Sequence, residues 1–310
     1  MLIEILKALF IGVVEGITEW LPISSTGHMI LVDQFLHLDV SAQFLELFLV
    51  VIQIGAICAV IVLFFHKLNP FSSKKSASER SGTWRLWAMV IVGCIPAAVI
   101  GLAFDDFFNE HFYNAWTVAI ALIFYGIVFI VMEAYNRRRE SKMALSGPHR
   151  GKHAKGYTKD EGDSQQKGLF KIETVDEIDW KCALKIGCFQ VLAIIPGTSR
   201  SGSTIIGGML CGCSRTAAAE FTFFLAIPVM FGWGLLKCVK YVAELGFAMS
   251  ATELAVLATG LITAFVVSIL SIKFLLGYIK NNDFTAFGIY RIVLGIVVLG
   301  YFSLKALGIL

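Results

Sequence analysis

Six stretches of this 310-residue chain are long and apolar enough to cross a bilayer, a crossing that takes about 20 predominantly apolar residues per helix. They lie at roughly 45–65, 86–104, 115–135, 217–241, 252–279 and 286–308. In hydrocarbon every backbone N–H and C=O must be satisfied within the protein, so runs of this length specify helices. Composition agrees: 57% of the residues are hydrophobic and 16% charged, whereas an ordinary soluble domain carries about 25% charged residues. The expected fold class is all-α and integral to a membrane. A nucleic-acid binder, a disulfide-stapled secreted domain and a disordered tail are excluded. The net charge of +3, from 26 basic and 23 acidic residues, is too small to indicate a polyanionic partner.

The charges are uneven. Residues 66–85 hold five Lys/Arg against one acid, and residues 136–171 hold ten against four. The positive-inside rule puts both on the cytoplasmic face. The second stretch has almost no large apolar residue and reads as a mobile loop without a core of its own. The N-terminus has no basic region or cleavage pattern, and Glu4, Glu15 and Glu19 come early, so it does not read as a removable signal peptide. The seven cysteines fall mostly in apolar segments with no CxxC pair, and read as small packing residues.

Two further apolar regions are broken by polar residues. Ile11 to His28 reads IGVVEGITEWLPISSTGH, and Ile186 to Gly202 reads IGCFQVLAIIPGTSRSG. With one gap before the proline they align, and three spans follow each. The chain therefore divides into a first repeat at 1–135, a basic cytoplasmic loop at 136–177 and a second repeat at 178–310. With both basic stretches inside and Asp105, Asp106 and Glu110 outside, the second repeat starts on the opposite face from the first. That is an inverted-topology repeat, although Lys237 and Lys240 near an outward end argue mildly against this orientation. A full crossing by either broken region would upset the parity, so each is expected to be a re-entrant helical hairpin. Irregular backbone at membrane depth survives only where it is buried or lines a wet cavity. The two Ser/Gly-rich tips are thus expected to meet near the midplane and to carry the site.

Glu15 and Glu19 lie four residues apart, on one helix face. Buried together they need a cation or a shared proton. A hard divalent ion, Mg²⁺ or Ca²⁺, held by these carboxylates and by phosphate oxygens, meets that need; a water-facing acidic pair is the plainer alternative. Ser24, Ser25 and Thr26 supply hydroxyls at the start of the next helix, where they could equally act as caps. His28 is spaced to meet Ser25 across one turn, and the free N–H groups of that turn favour an anion. Arg200, flanked by Ser199, Ser201, Ser203 and Thr204, has the planar fork that suits phosphate; a structural salt bridge to Glu15 or Glu19 is the other reading. Gln190 stands at the repeat position of Glu15, and Gln53 interrupts an apolar span; either could orient a ligand or simply bond between helices. Arg215 and Glu220 are expected to form a structural pair.

EGITEWLPISSTGHMIL (Glu15 to Leu31) and PGTSRSGSTIIGGML (Pro196 to Leu210) together resemble the bacterial undecaprenyl pyrophosphate phosphatases, also called bacitracin-resistance proteins. VVIQIGAI (Val50 to Ile57), AAAEFTFFLAIP (Ala217 to Pro228) and YRIVLG (Tyr290 to Gly295) extend the resemblance over nearly the whole chain. Trp20, where Phe is common in the family, reads as a packing swap. The resemblance implies removal of the terminal phosphate from a C55 isoprenyl diphosphate. The products are the monophosphate lipid carrier of cell-wall synthesis and inorganic phosphate, and bacitracin acts on the diphosphate form. It places the acidic motif on Glu15 and Glu19, the Ser and His on Ser25 and His28, and the arginine motif on Ser199, Arg200 and Ser201. It also implies divalent-metal dependence and a site in the bacterial cytoplasmic membrane reached from the outer face. Within that frame Ser25 is the expected nucleophile with His28 as general base or acid; in an equal alternative His28 activates water and Ser25 only positions phosphate. Ser24, Thr26, Ser199, Ser201 and Gln190 are expected to hold phosphate. The rival class is a transporter of a lipid phosphate or an ion built on the same architecture. The partners expected are the isoprenyl diphosphate lipid and the membrane, without nucleic acid, and a homodimer is compatible with the sequence.

Overall fold

A computed structural model describes residues 1–146, 170–246 and 249–309, and these are helical almost throughout. Two short helices, α1 (Leu2–Thr18) and α2 (Ser25–Phe35), are followed by α3 (Ala42–Leu63), the single turn α4 (Phe65–Leu68), α5 (Ala77–Phe112) and α6 (Ala115–Ser146). A second short pair, α7 (Trp180–Val191) and α8 (Arg200–Leu210), precedes α9 (Arg215–Leu245), α10 (Ala251–Tyr278) and α11 (Thr285–Ala306). Ala42–Leu63, Ala77–Phe104, Ala115–Lys142, Arg215–Glu244, Ala251–Tyr278 and Thr285–Ala306 are long and apolar enough to cross a membrane. They correspond to the six apolar runs of the sequence, and the protein is multi-pass. Side chains such as Val131, Leu235 and Leu270 stay more than half exposed along these helices, as expected of a surface that faces lipid instead of water.

Helix starts follow local sequence. Ser41, Ser76, Ser214 and Ser250 each cap the helix that follows by accepting a backbone N–H. At Ser76 and Ser250 a Glu three residues later closes a capping box. The Ser76 box starts α5 about nine residues before the apolar run begins, because capping and propensity extend a helix where hydropathy does not. For the same reason α6 continues past the expected boundary at 135 as far as Ser146. The other end of the basic stretch is also ordered: Ile172 bridges to Cys213, and Val175 is buried. Residues 147–169 of that expected loop lie outside the described residues.

The packing crosses between halves. The short helix α1 lies along α10, and its counterpart α7 lies along α5; α6 runs along α11, and α3 along α9 and α10. Glycines let helices from the two halves cross closely. A Cβ on Gly126 would come within 2.7 Å of the Gly288 carbonyl, and one on Gly288 within 2.8 Å of the Gly126 carbonyl. Near the centre Trp20 is fully buried and meets Phe223 edge-on, with ring centroids 5.4 Å apart.

Arg215 and Glu220 are both ion-paired, but not to each other. Arg215 forks onto the fully buried Glu133 of α6 with Nε–Oε1 3.0 Å and Nη2–Oε2 2.6 Å, and Glu220 accepts from Lys67 at 3.2 Å. Glu133 Oε1 also accepts the Phe284 N–H at the start of α11, so one carboxylate ties three helices together. Lys237 lies 3.6 Å from Glu46.

Candidate active site

The two broken segments form matching turns. Ser24 (φ 74°, ψ 100°) and Ser199 (φ 71°, ψ 119°) are the only non-glycine residues with positive φ among those described. Each is the N-cap of the helix that follows, its Oγ accepting the N–H of Gly27 or Gly202. The capping alternative is therefore realised for these two serines, and both still border the central cavity. Left-handed backbone at serine is strained; it occurs at both turns, and both turns border one space.

That space is a cavity of about 230 Å³ bordered by Glu19, Ser24, Ser25, Thr26, Gln53, Ser199, Arg200 and Ser201, with Met230 and Trp233 on an apolar side. Arg200 Nη2 donates to Glu19 Oε1 at 2.9 Å, and Ser25 Oγ donates to Glu19 Oε2 at 2.9 Å. One carboxylate thus links the arginine of one tip to the serine of the other. Arg200 Nη1 is braced on the Thr222 carbonyl at 3.0 Å, while its Nε is buried without a partner. Ser201 Oγ donates to the Glu19 and Leu21 carbonyls, at 3.1 and 3.3 Å, and fastens the tips together.

The ion pair between Arg200 and Glu19, foreseen as the structural alternative, is present. Ser25 and His28, spaced to meet, have no hydrogen bond: His28 is turned toward α11, where its Nε2 lies 2.7 Å from the Tyr290 hydroxyl, and its Nδ1 lies 2.8 Å from the Ser24 carbonyl. Glu15 is buried and is not among the residues that border the cavity, and its Oε1 is unpartnered. Gln190 is buried too, with both amide atoms unpartnered, and borders no part of the cavity, whereas Gln53 does. Among the described residues no group of three or more His, Cys, Asp or Glu could hold a metal by itself.

Arg291 is absent from the sequence-based set. It is fully buried in α11, and it donates from Nη1 to the Pro22 carbonyl (3.2 Å) and from Nη2 to those of Gly197 (2.9 Å) and Thr198 (2.8 Å). An arginine inside an apolar run is itself a signal, since a charge at membrane depth needs a partner.

Six spans and two strained polar turns meeting at an arginine, a carboxylate and a serine define an integral-membrane protein with a polar cavity among its helices. The chain belongs to the family described as bacitracin resistance protein BacA, whose profile matches residues 8–297. It is 53% identical to an undecaprenyl-diphosphatase of Enterococcus faecalis over 95% of this chain and 96% of that protein. It is 53% identical to one from Acetivibrio thermocellus (97% and 98% covered) and 52% identical to one from Desulfitobacterium hafniense (99% of each).

Proposed function

We propose that this protein is an undecaprenyl-diphosphatase, hydrolysing a C55 isoprenyl diphosphate to the monophosphate carrier and inorganic phosphate and so conferring bacitracin resistance. The observation that carries the reading is the junction at Glu19, which holds Arg200 from one tip and Ser25 from the other, each at 2.9 Å. The different chemistry of the two tips suits a reaction centre better than a symmetric transport path.

In the proposed reaction the terminal phosphate exchanges with Glu19 on the Arg200 fork, which remains braced by Thr222. Ser25 Oγ, already aimed at Glu19 Oε2, gives up its proton there and forms a bond to the terminal phosphorus as the bridging P–O bond breaks. The monophosphate leaves with the bridging oxygen. Water then cleaves the Ser25 phosphate, and the proton returns from Glu19. The first N–H groups of α2 and α8 face the charge that builds on the phosphoryl oxygens. His28 as activator of water, with Ser25 only positioning phosphate, is the competing route; a phosphorylated Ser25 trapped with a slow substrate would exclude it.

Glu15 and Glu19 fit a hard divalent cation: they are one turn apart, and the buried, unpartnered Glu15 Oε1 is a free oxygen donor. Such an ion, Mg²⁺ or Ca²⁺, would neutralise phosphate charge. We also infer that both short helix pairs are re-entrant and inverted relative to each other, in the bacterial cytoplasmic membrane with the cavity open to the outer face. The exchange of partners between halves supports this, and the ion pair from Lys237 to Glu46 removes part of the charge that opposed it.

The test is phosphate release from C15 and C55 isoprenyl diphosphates by detergent-purified protein, with Ser25→Ala and Arg200→Ala alongside. Release lost in both variants supports the reading. If well-folded wild type releases none, the enzyme reading fails, and lipid flux across liposomes becomes the next measurement.

A further inference from the structure

His28 does not touch Ser25, yet its imidazole is held at both nitrogens. The Ser24 carbonyl can only accept, so Nδ1, 2.8 Å away, carries the proton. Nε2 is then the acceptor of the neutral ring, and the Tyr290 hydroxyl, 2.7 Å away, donates to it. The two rings are nearly parallel, 7° between planes with centroids 5.6 Å apart. The chain of donors runs from Tyr290 on α11, through His28, to the carbonyl of the strained Ser24 turn.

The second tip shows what this chain adds. There the equivalent carbonyl, that of Ser199, is taken by the Ser203 backbone N–H at 3.0 Å, an ordinary helical bond. In α2 the corresponding bond from the His28 N–H to the Ser24 carbonyl is stretched to 3.4 Å, and the imidazole supplies the short contact instead. Ser203, four residues after the left-handed Ser199 as His28 is four after Ser24, sends its hydroxyl to the Arg200 carbonyl. At the first tip the Ser24–Ser25 peptide is held through the imidazole of His28, which Tyr290 of α11 holds in turn, whereas the Gly197 and Thr198 carbonyls of the second tip take Arg291 directly; the peptide so held leads into the serine that donates to Glu19.

We propose that Tyr290 is a positioning residue for the reaction at Ser25, acting through His28: by donating to Nε2 it selects the Nδ1–H tautomer that holds the Ser24 turn. This rests on the phosphatase reading above. It assigns His28 the work of a fixed donor, which an asparagine amide can imitate because its Nδ2 occupies the place of Nδ1 without any choice of tautomer.

The experiment measures isoprenyl diphosphate hydrolysis in Tyr290→Phe, His28→Asn, His28→Ala and the double variant Tyr290→Phe/His28→Asn, after confirming by gel filtration that each is folded. Tyr290→Phe keeps the ring and loses the donor, and is expected to lower kcat about tenfold with KM changed less than about twofold. His28→Asn is expected to recover most of the activity that His28→Ala loses, and Tyr290→Phe should have no further effect in that background, a non-additivity that simple packing by Tyr290 would not produce. Ring ¹⁵N shifts of His28 should report Nδ1–H in the wild type and a mixture of tautomers in Tyr290→Phe. Wild-type kcat in Tyr290→Phe, an equal loss in both backgrounds, or a His28→Asn variant as inactive as His28→Ala would overturn the inference. Absence of activity in the wild type would instead sink the phosphatase reading itself.

Discussion

Ser24 and Ser199 hold the same left-handed backbone, φ 74° and 71°, at the tips of the two short helix pairs, and each spends its hydroxyl on the third N–H of its own helix. The shared geometry separates two effects that usually come together. Ser199→Gly relieves the strain and loses the cap, and should change stability by only a few tenths of a kcal/mol. Ser199→Ala loses the cap and keeps the strain, and should destabilise by about 1 kcal/mol or more. Thermal unfolding in detergent compares them; equal midpoints would contradict this account.

Arg200→Lys keeps a charge but cannot hold Thr222 and Glu19 at once through a planar fork. It should lose roughly 100-fold in kcat, close to the effect of Arg200→Ala. A lysine variant of near wild-type activity would show that only charge matters at this tip.

Glu19→Gln breaks the contact of Ser25 with a carboxylate able to take its proton and should lower kcat by about 10²-fold or more. Glu15→Gln leaves that contact in place, and its expected effect is a higher divalent-cation requirement with activity restored at saturating Mg²⁺. Titrating the cation after chelator treatment distinguishes the two; identical cation dependence in Glu15→Gln and wild type would remove Glu15 from the metal's surroundings.

Arg215→Met strands the fully buried Glu133 carboxylate and should cost about 3–5 kcal/mol. Adding Glu133→Gln should restore most of that loss, since no buried charge then remains. Unfolding midpoints of the single and double variants check it.

Gly288→Ala would push a methyl to within 2.8 Å of the Gly126 carbonyl and should destabilise by about 1–3 kcal/mol as α6 and α11 are forced apart. Gly277→Ala, with nothing within 4 Å, is the control and should be neutral or slightly stabilising.

The spans were legible because hydropathy over 20 residues depends only on neighbours in sequence. The tips were legible for a related reason: Ser, Thr, His and Arg interrupting an apolar run have no role in lipid unless they line something. What stayed hidden depended on distant partners. Glu133, near the end of a span, carries no mark in the sequence of the partner it finds in Arg215 of α9. His28 has the right spacing for Ser25, but the Ser24 carbonyl and a hydroxyl on α11 compete for its two nitrogens and hold it away. The end of α6 was hidden because helix propensity carries the basic residues after 135 onward as helix where hydropathy falls.

The exchange of walls, α1 against α10 and α7 against α5, means that neither half supplies the main wall of its own first short helix. A gene encoding one half alone would yield a subunit whose α1 or α7 lacked that wall, and it could complete itself only by associating with a second subunit. Fusion into a single chain makes that association permanent and frees the two tips to diverge, so that one could keep the acids and the serine while the other kept the arginine.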